Sequence, residues 1–242
     1  MKRVIAALAL LLGAGTLSAA PPRVIYRPAP PPPRPAPCPA APAAEVGVAL
    51  TTSEGVIVVA IDGLHAPVSA ANFLCYVDRH RFDGISFYRA MHLAWGDPPN
   101  GLIQAGVQGH PARVLPPIAH EPTSKTGLSH IAGALSMARF APGTATGDFS
   151  ILLSPMIGLD ADPKSDNPEL QAGYAVFGHV VAGMDVARKI WDAPRSPTKG
   201  DGFMKGQMLD PPVRLISARR VALPAAGAPA APSPAPSPTP RR

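Results

Sequence analysis

The chain has 242 residues, 46% of them hydrophobic and 33 of them proline. That is enough for one core of ordinary size once the proline-rich segments 21–45 and 224–242 are set aside. The formal charge of +6 points to an anionic partner only until it is placed along the chain. The surplus lies in Lys2 and Arg3, in Arg23, Arg27 and Arg34 against Glu45, and in Arg241 and Arg242, so residues 46–223 are formally neutral. A nucleic-acid-binding domain carries basic charge on its folded surface, and the expectation is no nucleic acid.

Lys2 and Arg3 precede an apolar run over 4–12 and then the small residues Ser18, Ala19 and Ala20, the pattern of a secretory signal peptide spanning 1–19. Pro21 disfavours a cut after Ala20 and places it after Ala19. The rival reading is an uncleaved anchor. Gly13, Gly15, Thr16 and Ser18 argue against it, in a segment that only approaches the roughly 17–25 residues of a span. The expected location is periplasmic or secreted, without stable membrane insertion.

Residues 20–45, rich in Pro, Ala and Arg, and 222–242 read as disordered spacers, because they hold few apolar groups able to offset their ordering. Cys38 lies in the first spacer and Cys75 in a helical stretch. An oxidising compartment permits a bridge. A tether from a flexible arm to a buried helical thiol constrains no core, however, and the expectation is two unpaired thiols.

The folded domain is expected over 46–221. Residues 46–50 and 56–61 flank Thr52-Ser53-Glu54-Gly55 as a hairpin. Pro67 suits a first helical position, and Ala70, Phe73, Leu74 and Val77 recur at helical spacing. Residues 86–91 form a strand that puts aromatic residues and one arginine on alternating sides, and 102–106 is a short apolar run carrying the amide of Gln104. Turn chemistry over 96–101 joins them. Pro111, Pro116, Pro117 and Pro122 make 105–122 a loop. Strands follow at 134–137 and 149–153, then a polar loop over 159–173, a strand at 175–181, a helix through Met184, Ala187, Arg188 and Trp191, and a last strand at 212–218. Many short strands with one helix near each end predict a mainly β, closed antiparallel barrel.

Phe87-Tyr88-Arg89-Ala90-Met91 and Leu102-Ile103-Gln104-Ala105-Gly106 are followed in order by Ala134-Leu135-Ser136-Met137-Ala138-Arg139, Gly147-Asp148-Phe149-Ser150-Ile151 and Tyr174-Ala175-Val176-Phe177-Gly178. In that order the motifs resemble those of the cyclophilin-type peptidyl-prolyl cis-trans isomerases, over about residues 46–221. The resemblance implies eight strands capped by two α-helices, with an active groove on the outside. It also implies a reaction without cofactor and, as partners, proline-containing segments of unfolded or extended proteins; the expected state is a monomer.

That reaction needs neither nucleophile nor metal. The amide rotates over a barrier of roughly 18–20 kcal/mol because nitrogen shares its lone pair with the carbonyl, and a catalyst has only to hold the proline and favour the twisted state. Arg89 offers a fixed, permanently charged donor fork, and the resemblance implies that it stabilises this state. Gln104 matches the family's glutamine, which bonds the substrate backbone. Ala138 and Arg139 match the pair whose backbone receives the peptide as a strand. Phe87, Tyr88, Leu102, Asp148, Ser150, Leu170 and Tyr174 complete the expected substrate-binding set.

Several positions depart from the pattern. Ser150 stands where the family places a phenylalanine under the proline ring, Asp148 replaces a glutamine near Arg89, and Gly101 replaces an aromatic residue. Asn167-Pro168-Glu169-Leu170 lacks a tryptophan, and Tyr174 replaces a histidine. Trp95 is the available substitute for the lost apolar wall. The departures keep a second reading open, a catalytically weakened peptide-binding or chaperone module. A third has the barrel merely supporting functional tails. Elsewhere, seven histidines show no paired ligand spacing, and Asp160, Asp162 and Asp166 read as a solvated loop rather than a calcium site.

Overall fold

The computed structural model describes residues 36–96 and 100–224. The expected signal peptide, the first part of the spacer and the tail beyond 224 lie outside the described residues. In chain order the elements are β1 (Glu45–Thr52), β2 (Gly55–Asp62), α1 (Pro67–Asp78), β3 (Ile85–His92), β4 (Gly101–Gly106) and α2 (Thr123–Thr126). They continue with β5 (Ala134–Met137), β6 (Phe149–Leu152), α3 (Pro168–Ala172), β7 (Val176–Ala182), α4 (Met184–Trp191), β8 (Arg195–Ser196) and β9 (Met208–Val221).

Antiparallel pairing runs β1-β2-β7-β5-β6-β4-β3-β9, and β9 pairs back onto β1. Eight strands therefore close a barrel, as expected, while the two-residue β8 pairs with the start of β9. Side chains alternate across the wall. Register carries that alternation from strand to strand: Phe87 pairs with Ala105, Ala105 with Phe149, and Phe149 with Met137. All four are buried inside, as are the register partners Ala90, Ile103, Ile151 and Leu135 two rungs away.

The two main helices close opposite ends. Phe73 of α1 meets Phe82, Phe149 and Phe177 at ring-centroid distances of 5.1, 5.2 and 5.3 Å, and α4 contributes Val186, Ala187 and Ile190 to the same core. Helix α1 buries more than its predicted stripe, since Ser69, Asn72, Cys75 and Tyr76 are buried as well. A helix covered nearly all round is packed on more than one side, and here the loop before α2 wraps it. The loop ends in Glu121, whose two carboxylate oxygens accept from the Val68 and Ser69 N–H groups at 2.9 and 2.7 Å. These are orphan donors of the helix start, and no local side chain caps them. Within the expected polar loop 159–173, Asn167 and Pro168 start α3, with the Asn167 side chain accepting from the Glu169 N–H.

The cysteines correct the sequence expectation. Cys38 and Cys75 form a disulfide with Cα atoms 5.5 Å apart. Residues 36–45 do not behave as free spacer. Cys38 and Ala41 pack against the core, Gly63 N–H donates to the Ala44 carbonyl, and Arg79 donates to the carbonyls of Ala36 and Pro37. Free thiols would require an unanchored arm, and this arm is anchored. These contacts lay Cys38 against α1 beside the buried Cys75, so the bridge fastens an already packed strap. No described helix is long and apolar enough to cross a membrane.

Candidate active site

The site is the outer face of the wall between those two interior rows. Arg89 pairs with Gln104, Gln104 with Ser150, and Ser150 with Ser136, so one polar row crosses β3, β4, β6 and β5. Two residues further along the strands, roughly 6.5–7 Å at the usual strand rise, Met91, Leu102 and Leu152 form an outer apolar row. A cleft of about 230 Å³ lies over both. Its walls are Met156 and Leu159 on one side, Met137, Ala138, Arg139 and Tyr174 at the β5 end, and Phe203 beyond Arg89.

A β-bulge sets the aim of Arg89. Register on both sides of β3 shifts between Phe87 and Arg89, so Tyr88 has no partner and two successive side chains, Tyr88 and Arg89, face outward. Re-aiming a side chain is what an inserted strand residue does. Arg89 is then held at three points: Nη1 donates to Gln104 Oε1 at 2.9 Å, Nε to Gln207 Oε1 at 2.8 Å and Nη2 to Met91 Sδ at 3.4 Å. Two partners are neutral amides and the third a thioether, and no carboxylate pairs with Arg89 among the described residues. Burial pulls its pKa down from the usual value. Guanidinium starts so high that it stays charged.

Arg139, the other arginine of the cleft, is neutralised. It bonds Glu169 at 3.0 Å, donates to the Gly173 carbonyl at 2.6 Å and lies over the Tyr174 ring, 4.4 Å from its centroid. The free positive charge of the cleft therefore belongs to Arg89.

Of the residues expected at the site, Arg89, Gln104, Leu102, Ala138, Arg139, Ser150 and Tyr174 line one cleft. Four do not. Phe87 is wholly interior, because the bulge begins after it. Tyr88 faces out beside the cleft and donates to Asp148 at 3.0 Å. Asp148 accepts from Tyr88 and from the Gln108 N–H at 3.1 Å, not from Arg89. Burial raises the Asp148 pKa, opposed by those two donors. Leu170 sits on α3, 46% exposed, and Leu159 takes the wall position expected of it.

The apolar lining is rebuilt from residues the sequence reading passed over. Met91, Met156 and Leu159 line the cleft together with Ser150, and flexible methionines suit an irregular gap. Trp95 does not join them; it is 60% exposed and lies outside the cleft. Gly101 has a steric cause. A Cβ there would come within 2.3 Å of the Met91 carbonyl and 2.4 Å of Trp191 Nε1. Trp191 donates to that carbonyl at 2.7 Å and stacks on His92 at 3.7 Å, so the indole fills the space that an aromatic residue at 101 would need.

Behind the β5 end, Asp160 is not a solvated loop residue. It accepts from Ser129 Oγ, from the His130 N–H at 3.0 Å and from His130 Nδ1 at 2.5 Å. His130 Nε2 meets Ser136 Oγ at 2.9 Å, and His130 has no exposed surface. Burial lowers its pKa, with the Asp160 contact opposing. The chain Asp160–His130–Ser136 pins the loop bearing Leu159 to the last residue of the polar row.

Over residues 47–217 the sequence matches the family described as cyclophilin type peptidyl-prolyl cis-trans isomerase/CLD. It is 34% identical over 180 residues to a peptidyl-prolyl cis-trans isomerase of Acinetobacter baylyi, covering 73% of this chain and 86% of that protein. It is 36% identical over 147 residues to peptidyl-prolyl cis-trans isomerase A of Dickeya dadantii, covering 59% and 70%. Among solved structures, a cyclophilin type peptidyl-prolyl cis-trans isomerase of Cryptosporidium parvum superposes with TM-score 0.56 at 17% identity, over 74% of this chain and 99% of that one. Its crystal structure in the presence of the dipeptide Ala-Pro gives 0.55 over 73% and 99%. At that identity the likeness speaks to the fold.

Proposed function

We propose, on the premise that this chain belongs to the cyclophilin-type peptidyl-prolyl cis-trans isomerases, that its isomerase activity rests on Arg89 and serves proteins outside the cytoplasm. The single observation that carries the mechanism is the uncompensated Arg89 charge, fixed by two neutral amides over an apolar cleft. As the X-Pro amide twists, conjugation is lost and the nitrogen becomes pyramidal and basic. A preorganised guanidinium beside it stabilises this state more than the planar ground state, and only such differential binding accelerates the step.

The remaining groups hold the substrate. Met91, Leu102, Met156 and Leu159 take the proline ring, Gln104 bonds the substrate backbone, and the peptide runs as an extended strand against Ala138 and Arg139. The two methionines and Leu159 line the same cleft as Ser150, which weakens the case for a faded pocket. For the location, the Cys38–Cys75 bridge supports export, because such bonds persist in oxidising compartments. It joins the signal-like pattern over 1–19 as a second, independent reason.

The test is exchange of a prolyl tetrapeptide, followed by NMR without a coupled protease, on wild type and Arg89→Ala. Wild type should accelerate exchange strongly and the variant weakly. Equal, uncatalysed rates with retained peptide binding would instead support the binding-module reading.

A further inference from the structure

Phe203 is 72% exposed yet lines the cleft. Single exposed apolar side chains are ordinary on any surface; what distinguishes this one is how firmly it is held. The loop between β8 and β9 is stitched by Met204 N–H to the Asp201 carbonyl (3.0 Å), Gly206 N–H to that of Lys199 (3.0 Å) and Gln207 N–H to that of Met204 (3.0 Å). It is fastened to the barrel where the Ala90 N–H donates to the Gln207 carbonyl at 2.9 Å. The Gln207 side chain accepts from Arg89 with one end of its amide and donates to the Phe203 carbonyl at 2.8 Å with the other. The Phe203 ring stands 5.7 Å from the guanidinium carbon.

Its position along the polar row matters as much. β9 follows β3 in the sheet, with Met208 the register partner of Arg89, so Phe203 stands past Arg89, at the opposite end from Ala138 and Arg139. An extended peptide that meets those two residues and places its proline over Met91 and Leu102 passes Phe203 with a neighbouring side chain.

We infer that Phe203 forms a second subsite, which selects a large apolar or aromatic residue flanking the proline. This rests on the isomerase reading above. Continuity with the cleft names the occupant as the same client segment, and the ring offers it an apolar face that is unpaired in the free protein. A side chain docking there covers Phe203 and, through the Gln207 amide, acts on the group that holds Arg89.

The experiment compares prolyl peptides that carry Phe, Leu or Ala immediately before or immediately after the proline, in full-length wild type, Phe203→Ala and Phe203→Leu. Wild type should prefer Phe or Leu to Ala at one of the two flanks by about tenfold in kcat/KM, the scale of discrimination by modest apolar contacts. The ratio should lie mainly in KM. Phe203→Ala should bring it near unity, and Phe203→Leu should restore most of it. A ratio unchanged in Phe203→Ala, or absent in wild type that turns over the Ala-flanked peptide, overturns the subsite and leaves the isomerase reading intact. Failure of wild type to catalyse any of the peptides sinks both.

Discussion

At the β5 end of the polar row, Ser136 is buried on His130 and His130 on Asp160. At the β3 end, Arg89 engages two neutral amides and faces the cleft beside an exposed phenylalanine. Strand register makes the two ends members of one row, but their partners differ in kind. Buried polar groups must find partners inside the protein, since leaving one unmatched costs about 1–3 kcal/mol, and a closed chain of partners has nothing left to offer a ligand. Arg89 has no carboxylate partner among the described residues, and in the proposed mechanism the twisted amide is what its charge meets. One end thus fixes the row in place, and the other is left open to a ligand.

The sharpest test of that division is Arg89→Ala. We expect turnover to fall by about a hundredfold or more, as when one preorganised donor is removed elsewhere, with the unfolding midpoint almost unmoved because water reaches both freed amides. A large loss of stability alongside activity would erase the distinction. At the other end, Ser136→Ala strands His130 Nε2 in the interior, and denaturant melts should show a loss of about 1–3 kcal/mol.

Between the ends, Leu159→Ala removes cleft wall. At about 0.8 kcal/mol per buried CH2 it should raise KM for a prolyl peptide severalfold, leaving kcat largely intact; a drop in kcat alone would show that Leu159 positions Arg89 instead. The smallest effect is a pH dependence. The folded state holds His130 below its ordinary value of 6.5, chiefly by burial, so below that pH the unfolded chain binds the extra proton and the fold does not. Stability from this group is full at neutral pH and lost as pH falls below about 6.5. Equilibrium unfolding between pH 7.5 and 5 should show a steeper decline in wild type than in His130→Asn.

Much of this was legible in the sequence, and the reasons differ from residue to residue. Gln104 and Ser150 could be assigned a side because alternation in their strands is unbroken, whereas Arg89 was legible only from its motif, since alternation from Phe87 would have turned it inward. Tyr88 could not, because a bulge suspends alternation where it occurs. Leu170 was expected at the site and Leu159 was not, because both lie in a polar segment without periodicity, where spacing does not say which side chain folds back on the cleft. Met156, Phe203 and Gln207 come from irregular segments without periodicity, and only the folded chain brings them to Arg89. Glu121 capping α1 and Cys38 reaching Cys75 are contacts across 53 and 37 positions, for which local pattern carries no signal.

The pairing of β9 with β1 has a consequence for a protein that takes hold of extended segments from other chains. An open sheet would present a row of unpaired N–H and C=O groups at its margin, a template onto which a captured strand could add and then recruit the next. Here the eight strands use up one another's backbone groups all the way round. The stretch proposed to receive a client strand, Ala138 and Arg139 past the end of β5, is too brief to propagate a sheet. Closure therefore lets the cleft hold a chain prone to self-association without the holder seeding the deposit it would otherwise join.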